Sequence, residues 1–278
     1  MTQHALPAPT IITARAMLPV LLSVPHSGRD YPEALIASAR GGRAALESLD
    51  DPLVDRLAWR ALALGLGAVI ANAPRAAIDC NRAPDEVDPS VVAGAPPATS
   101  PRAVAGLGIV PGRTARHGYL WRQPISRTDL DQRIATAHAP YHAAIESPLD
   151  RLALIYGGAI LLDCHSMPTR GGQAEIVIGD RNGTSAAPHV SAAAARIARS
   201  QGWTVAMNAP YAGGHIIARH GEPAADIHAL QIEIDRNCYL GPDSHSPGPG
   251  FDRAGRLLES LAVGLATLVP NALCFAAE

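Results

Sequence analysis

One apolar segment that runs into polar side chains narrows the choice of folds for this chain. Residues 159–162 are all apolar and predict a buried strand, and Asp163, His165 and Ser166 follow it directly. In an α/β sheet, ligands bind beyond the carboxyl ends of the strands. A neighbouring carboxylate can fix the tautomer of a histidine ring, so His165 is a candidate metal ligand. The alternative is a core histidine that is satisfied beside a polar turn.

Apolar runs typical of strands alternate along the chain with segments of helical periodicity. This alternation predicts an α/β fold with a mostly parallel or mixed sheet, in one domain spanning residues 1–278. Residues 1–15 are predicted to be loose, and the Pro- and Gly-rich segment 83–116 to be a functional or mobile loop. Strands are predicted at 18–24, 68–70, 77–79, 158–163, 174–179, 203–206 and 229–234; helices at 32–39, 51–64, 128–150 with a break near Pro140, 188–201 and 250–268.

Composition narrows the possible partners and the compartment. The net charge is −2 and no basic run occurs, which disfavours nucleic acid and anionic membranes as partners. The four cysteines, Cys80, Cys164, Cys238 and Cys274, lack a CxxC spacing and are predicted to be free thiols in a reducing compartment. No signal-peptide pattern and no apolar run of membrane-spanning length occurs, so we expect a cytoplasmic protein.

A second histidine follows another predicted strand. The strand at 18–24 leads into His26 and Ser27, and then into Gly28, where the missing side chain permits a sharp turn or a close approach to a ligand. A structural histidine is the alternative interpretation of His26.

The pair Asn81 and Arg82 follows the short strand predicted at 77–79. A guanidinium offers a carboxylate two parallel hydrogen bonds and asparagine adds a neutral donor, so this pair suits recognition of a substrate carboxylate. A surface turn is the alternative.

Glu233 lies in an alternating segment, 230–236, that otherwise predicts a buried strand. A carboxylate in such a strand costs several kcal/mol unless it is paired or functional. Glu233 is therefore a candidate general base. The alternative is a buried ion pair with Arg219 or Arg236.

Segment 213–221 is flanked by glycines and carries two histidines and an arginine. It is typical of a lid or a substrate loop, which makes His215 and Arg219 candidate substrate contacts. Arg219 could hold an anionic substrate group or a developing oxyanion.

Two histidines and one carboxylate with an open position form a common catalytic zinc site. His26, His165 and one aspartate of the pair Asp50 and Asp51 could supply it. Zinc would activate a water molecule and polarise a carbonyl, while Glu233 passes a proton to the leaving amine. Co²⁺, Mn²⁺ and Ni²⁺ also accept such ligands. The sequence contains no GxSxG, GxGxxG or GxxxxGK[ST] motif, which disfavours serine hydrolase, dinucleotide and P-loop sites.

Six of these segments, in this order, resemble the N-formylglutamate amidohydrolase family. They are VPHSGRDYP (24–32), DDPLVDRL (50–57), IDCNR (78–82), LLDCHSMP (161–168), YAGGHIIARHGEP (211–223) and HALQIEIDRNCYL (228–240). The family is distantly similar to zinc carboxypeptidases and aminoacylases, which implies a central mixed sheet of about eight strands flanked by helices.

The resemblance implies zinc-dependent hydrolysis of N-formyl-L-glutamate to formate and L-glutamate, the last step of one histidine-degradation route. It assigns His26 and His165 as metal ligands, Glu233 as general base, and Asn81 and Arg82 as substrate ligands, with Arg219 as a second arginine. Zinc carboxypeptidases place a glutamate three residues after the first histidine, where this chain has Arg29. We therefore expect Asp51 to be the middle ligand, with Asp50, Asp30 and Asp55 as alternatives.

Two other functions compete with this one. The first is a zinc hydrolase of another N-acyl amino acid or of a small peptide. The second is a non-catalytic binding protein with the same fold, against which His26, His165 and Glu233 argue because all three are present.

Overall fold

A seven-stranded mixed sheet carries Asp163, His165, Ser166 and Glu233. The computed structural model describes residues 6–15 and 18–270, so Cys274 lies outside the described residues. The strands are β1 (Thr10–Ile12), β2 (Val20–Val24), β3 (Gly67–Ile70), β4 (Arg113–Thr114), β5 (Gly118–Tyr119), β6 (Ala159–Met167), β7 (Ile176–Gly179), β8 (Val205–Met207) and β9 (Ile227–Asp235).

Helices occupy most of the segments between these strands. They are α1 (Glu33–Ser38), α2 (Gly42–Glu47), α3 (Val54–Leu57), α4 (Trp59–Ala63), α5 (Pro101–Val104), α6 (Arg127–Arg133), α7 (Ala139–Tyr156), α8 (Pro188–Ser200), α9 (His215–His220) and α10 (Phe251–Ala266). A π-helical turn spans Ile134–His138, and 3₁₀ turns span Pro223–Ala225 and Arg236–Cys238. No helix in the described part of the chain is long and apolar enough to cross a membrane.

The strand order of the large sheet is β1-β3-β2-β6-β9-β7-β8. The pairs β2–β6, β6–β9 and β7–β8 are parallel, and β7–β9 is antiparallel. The predicted α/β class with a mostly parallel mixed sheet is confirmed, with seven strands in place of about eight. Strands β4 and β5 form a separate antiparallel pair.

The described residues form two compact units, each made of several segments. The first takes the described residues within 1–10, 25–50 and 70–143, and the second takes those within 11–24, 51–69 and 144–278. The first unit has its own apolar core, with the buried side chains Leu35, Leu46, Ile78, Ile109, Leu120 and Leu130. In the second unit, α10 buries Leu257, Leu258, Leu261 and Leu265, and the central strand β6 is buried along its whole length. The prediction of one domain spanning 1–278 stays a prediction.

The prediction of a strand at 77–79 is wrong. Ala77 and Ile78 both donate their backbone N–H groups to the carbonyl oxygen of Pro74, at 2.9 and 3.3 Å, so this segment is a turn. Its apolar side chains lie buried in the core of the first unit. A buried irregular segment and a buried strand share the same apolar composition, which explains the error.

Four other segments differ from prediction. Leu53 has a left-handed backbone (φ 60°) and is the N-cap of α3, so the helix predicted over 51–64 becomes two short helices. Strand β6 continues to Met167, so Asp163 and His165 lie within it.

No break occurs at Pro140, because the widened π turn just before it accommodates a proline ring that lacks an N–H group. Segment 83–116 contains α5 and β4 and contributes core side chains such as Ile109.

Candidate active site

His165 lies between two buried carboxylates in the second unit. Its Nε2 is 2.8 Å from Oδ2 of Asp163, and its Nδ1 is 3.1 Å from Oδ2 of Asp51. Asp163 and His165 are two residues apart on β6 and therefore project from the same face of the sheet. Ser23 on the neighbouring strand β2 donates its hydroxyl to the other oxygen of Asp163, at 2.8 Å.

This arrangement fits a bound cation. A neutral imidazole has a single N–H and can donate to one carboxylate only, so the second carboxylate requires a proton or a metal ion on the other ring nitrogen. Burial alone would lower the pKa of His165, but the carboxylates of Asp163 and Asp51 raise it well above its ordinary value. Asp51 and His165 therefore form a candidate pair of metal ligands, with Asp163 supporting the ring from behind.

Asp51 is held from several sides. Its Oδ1 accepts a hydrogen bond from Ser166 at 3.2 Å and lies 3.3 Å from Nη2 of Arg236. Arg236 also donates from Nε to the Ser166 hydroxyl. Tyr239 donates its hydroxyl to the carbonyl of Pro52, the residue after Asp51. These bonds fix a carboxylate that lies in a loop, outside regular secondary structure.

Glu233 lies on β9, beside His165 in the register of the parallel pair β6–β9. It is 7% exposed, and its Oε1 accepts a hydrogen bond of 2.8 Å from the side-chain amide of Gln231. The Oε1 atom of Gln231 accepts the backbone N–H of Gly214 at 2.9 Å, which fixes the orientation of the amide so that its NH₂ group faces Glu233. The hydrogen bond from Gln231 holds the carboxylate of Glu233 in one orientation.

His26 belongs to the first unit and has its own supporting carboxylate. Its Nε2 is 2.8 Å from Oδ1 of Asp79, whose other oxygen accepts a hydrogen bond of 3.0 Å from Nε of Arg75. Burial would raise the pKa of Asp79, but Arg75 and His26 hold it well below its ordinary range. Because an ionised carboxylate can only accept, Nε2 carries the hydrogen and Nδ1 is the nitrogen with the lone pair in the neutral ring. The same carboxylate–histidine arrangement occurs at His165.

Gly28 fixes the loop that carries His26. A β-carbon at Gly28 would lie 2.2 Å from the carbonyl oxygen of Ala73, so no other residue fits without moving the backbone. The close approach at this glycine is to the protein backbone, and the predicted approach to a ligand stays a prediction.

Asn81 and Arg82 also lie in the first unit, in the irregular segment after Ile78. Both are buried, with Arg82 9% exposed. The guanidinium of Arg82 donates from Nε to the carbonyl of Leu107 at 2.8 Å and from Nη1 to the carbonyl of Asn81 at 2.9 Å. Burial lowers the pKa of Arg82 below its ordinary value. A guanidinium oriented by neutral carbonyls keeps its charge available for an anionic ligand.

The glycine-flanked segment forms the short helix α9. Arg219 is 43% exposed at its side chain and lies 3.4 Å from a carboxylate oxygen of Glu146. His215 is half-buried at the first position of the helix. His220 is buried, and burial lowers its pKa to about 3, so it is neutral at pH 7.

The three aspartates considered as alternatives to Asp51 for the middle metal ligand have other neighbours. Asp50 accepts a hydrogen bond from the Tyr31 hydroxyl in the first unit. Asp30 is exposed, and Asp55 lies half-buried in the first turn of α3. Among these aspartates, Asp51 is the one whose carboxylate meets the ring of His165.

Sequence reasoning missed two residues, Gln231 and Arg236, that hold other side chains of the site in place. Gln231 carried a usable signal, because its two-residue spacing from Glu233 predicts that both project from one strand face. Arg236 appeared only as a partner for Glu233, whereas the structure places it against Asp51, 185 residues away along the chain. No local pattern indicates that contact.

Comparison with known proteins gives a consistent result. The family model described as N-formylglutamate amidohydrolase matches residues 18–240. The chain is 30% identical to the N-formylglutamate deformylase of Pseudomonas putida over 80% of this chain and 82% of the relative. It is 27% identical to the N-formylglutamate deformylase of Pseudomonas aeruginosa over 95% and 96% of the two chains.

A solved structure agrees with these relatives. The crystal structure of N-formylglutamate amidohydrolase from Ralstonia eutropha superposes with a TM-score of 0.85 at 29% identity, over 94% of this chain and 98% of the other. The resemblance carried by the six sequence segments is thereby confirmed, and the chain belongs to the N-formylglutamate amidohydrolase family.

Proposed function

We propose that this protein hydrolyses N-formyl-L-glutamate to formate and L-glutamate with one bound divalent ion, zinc in the first instance. The observation that carries the proposal is the buried His165, which bridges two carboxylates beside Glu233. The names of the Pseudomonas relatives support the substrate. The reaction would be the last step of a histidine-degradation route. Free thiols at Cys80, Cys164 and Cys238 support a cytoplasmic location.

His26, Asp51 and His165 are the proposed ligands. Each histidine is supported at Nε2 by an aspartate, which orients the ring and makes it a better ligand. His26 follows β2 by two residues, and β2 pairs in parallel with β6, the strand that carries His165. Two histidines and a carboxylate suit zinc and leave a position open for chemistry. The ion would supply Lewis-acid activation of a water molecule and of the formyl carbonyl.

Glu233 moves the proton. Its carboxylate accepts a proton from the attacking water and delivers it to the nitrogen of the departing glutamate, while the C–N bond of the amide breaks. Gln231 supports this role by bonding to Oε1 of Glu233, so that the carboxylate keeps one orientation through both transfers.

Asn81 and Arg82 bind a carboxylate of the substrate. The carbonyls of Leu107 and Asn81 orient the Arg82 guanidinium before the substrate arrives, which reduces the entropy lost on binding. Arg219 and His215 remain proposed contacts for the rest of the substrate, and Arg219 would have to exchange Glu146 for a substrate group.

The test is formate release from N-formyl-L-glutamate before chelation, after chelation and after zinc is added back. We expect chelation to abolish turnover and zinc to restore it, because the ion activates both reactants. Turnover that survives complete metal removal would contradict the metal. Bound zinc without formate release would favour another N-acyl amino acid as substrate, and absence of both would favour a binding protein.

Replacing Arg82 with alanine should separate recognition from chemistry. We expect KM for N-formyl-L-glutamate to rise about tenfold or more with a much smaller change in kcat, because a charged hydrogen bond contributes about 1.5–3 kcal/mol. The measurement includes the two monoamides of the substrate, each of which lacks one carboxylate. The effect should shrink for the amide that lacks the carboxylate bound by Arg82. Equal effects on all three substrates would make Arg82 structural.

A further inference from the structure

Segment 77–82 contains neither helix nor strand, yet it carries the two proposed substrate ligands Asn81 and Arg82. Its carbonyl oxygens therefore cannot be satisfied by a regular ladder, and each buried carbonyl needs another donor. Both residues are buried, so water is a poor substitute.

One helical stretch supplies these donors. His142 lies with Nε2 3.0 Å from the carbonyl of Cys80, and His138 lies with Nε2 2.8 Å from the carbonyl of Arg82. Arg133 donates from Nη1 to the carbonyl of Ala77 at 2.9 Å, while Asp129 holds its guanidinium by two further bonds. The carbonyls on both sides of Asn81 are thus bonded to histidines, and the carbonyl of Asn81 itself is bonded to Arg82.

The hydrogen bonds to backbone carbonyls determine the tautomer of both histidine rings. A carbonyl oxygen only accepts hydrogen bonds, so Nε2 carries the hydrogen in His138 and in His142. The two rings are 2% and 1% exposed, and their centroids are 4.5 Å apart. Their side chains have little room to reorient, which makes them stiff supports.

The π turn at Ile134–His138 explains how one helix reaches three carbonyls. In a regular α-helix, residues five apart project about 140° apart, so Arg133 and His138 would point to different faces. In a π turn five residues span slightly more than one turn, which brings both side chains to one face. The N–H of Ala139 bonds to the carbonyl of Ile134, as this turn requires. His142 follows His138 by four residues and shares its face.

We propose that His138 and His142 are positioning residues for substrate recognition: they fix the backbone on both sides of Asn81 and so hold Asn81 and Arg82 in the geometry that binds a carboxylate. This role rests on the proposed function. Neither histidine touches the substrate, and neither takes part in proton transfer.

The test uses His138→Leu and His142→Leu, with His138→Gln and His142→Gln as conservative variants, because the glutamine amide also ends in an N–H donor. We expect each leucine variant to raise KM for N-formyl-L-glutamate about fivefold or more while kcat stays within about twofold. The glutamine variants should recover most of the loss. His117→Leu, at an exposed position in the same unit, is the matched control and should leave KM unchanged. Equal losses in kcat and KM, without rescue by glutamine, would overturn the proposal.

A second readout does not depend on turnover. Amide hydrogen exchange in segment 79–83 should be faster in each leucine variant than in the wild type and the control. Unchanged exchange would overturn the proposal even if the enzyme acts on another substrate. If a leucine variant does not fold, ¹⁵N NMR of the histidine side chains in the wild type tests the proposed hydrogen bonds. Both His138 and His142 should be Nε2–H tautomers, and an Nδ1–H tautomer at either one would contradict the proposal. Failure of the wild type to release formate would count against the proposed function alone.

Discussion

Replacing Glu233 with glutamine should lower kcat for formate release at least ~100-fold, which is the lower range for loss of a general base. The amide oxygen of glutamine can still accept the hydrogen bond from Gln231, so the side chain should keep its place. The variant loses the ability to take up a proton. Zinc content and melting temperature should stay close to the wild-type values.

The matched control is Glu259→Gln, on α10, where the carboxylate lies beside Arg60 instead of the strand ends. This variant should retain wild-type kcat. Glu233→Asp adds a third point, because it keeps the carboxylate but shortens the side chain by one methylene, and its kcat should fall between the other two. Turnover of Glu233→Gln within tenfold of the wild type would assign the proton transfer to another group.

Replacing Asp163 with asparagine should weaken zinc binding about 10- to 100-fold, the usual cost of removing the carboxylate behind a metal-bound histidine. Asparagine still offers an oxygen to Nε2 of His165, so the ring stays oriented while its negative partner is lost. Turnover should therefore be low at limiting zinc and recover largely at saturating zinc. The measurement is a zinc titration in a competing chelator, followed by formate release.

Asp79→Asn provides an independent repeat in the first unit, since Asp79 supports His26 in the same way. The two variants should weaken zinc binding in the same direction. Asp226→Asn, which changes an exposed carboxylate, should leave zinc affinity unchanged. A zinc dissociation constant within twofold of the wild type in Asp163→Asn would remove Asp163 from the support of a metal.

The sequence predicts the sheet well because strand burial is encoded locally. The apolar residues before Asp163 and the alternation around Glu233 both correspond to buried strands. Through the two-residue period Asp163 shares a face of β6 with His165, and Gln231 shares a face of β9 with Glu233. The chemistry predicted for these residues stays a prediction. The structure adds that β6 and β9 are neighbours and that His165 and Glu233 are in register.

Other features could not be derived from local patterns. The contact of Arg236 with Asp51 joins distant parts of the chain, and no periodicity encodes it. The segment around Ile78 is apolar because it is buried, and burial does not distinguish a turn from a strand. The π turn before Pro140 likewise depends on which carbonyls the helix must reach, a property of the tertiary structure.

The parallel pairing of β2 with β6 also sets the order in which the molecule can assemble. The hydrogen bond between Ser23 and Asp163 joins residues 140 positions apart, and closing a loop of that length costs entropy before any pairing energy is gained. A nascent chain therefore exposes Asp51 long before its hydrogen-bond partner His165 has been synthesised. Strand β9 is the last strand of the sheet along the chain, so a nascent chain contains Glu233, the proposed proton acceptor, only after both histidines have been synthesised.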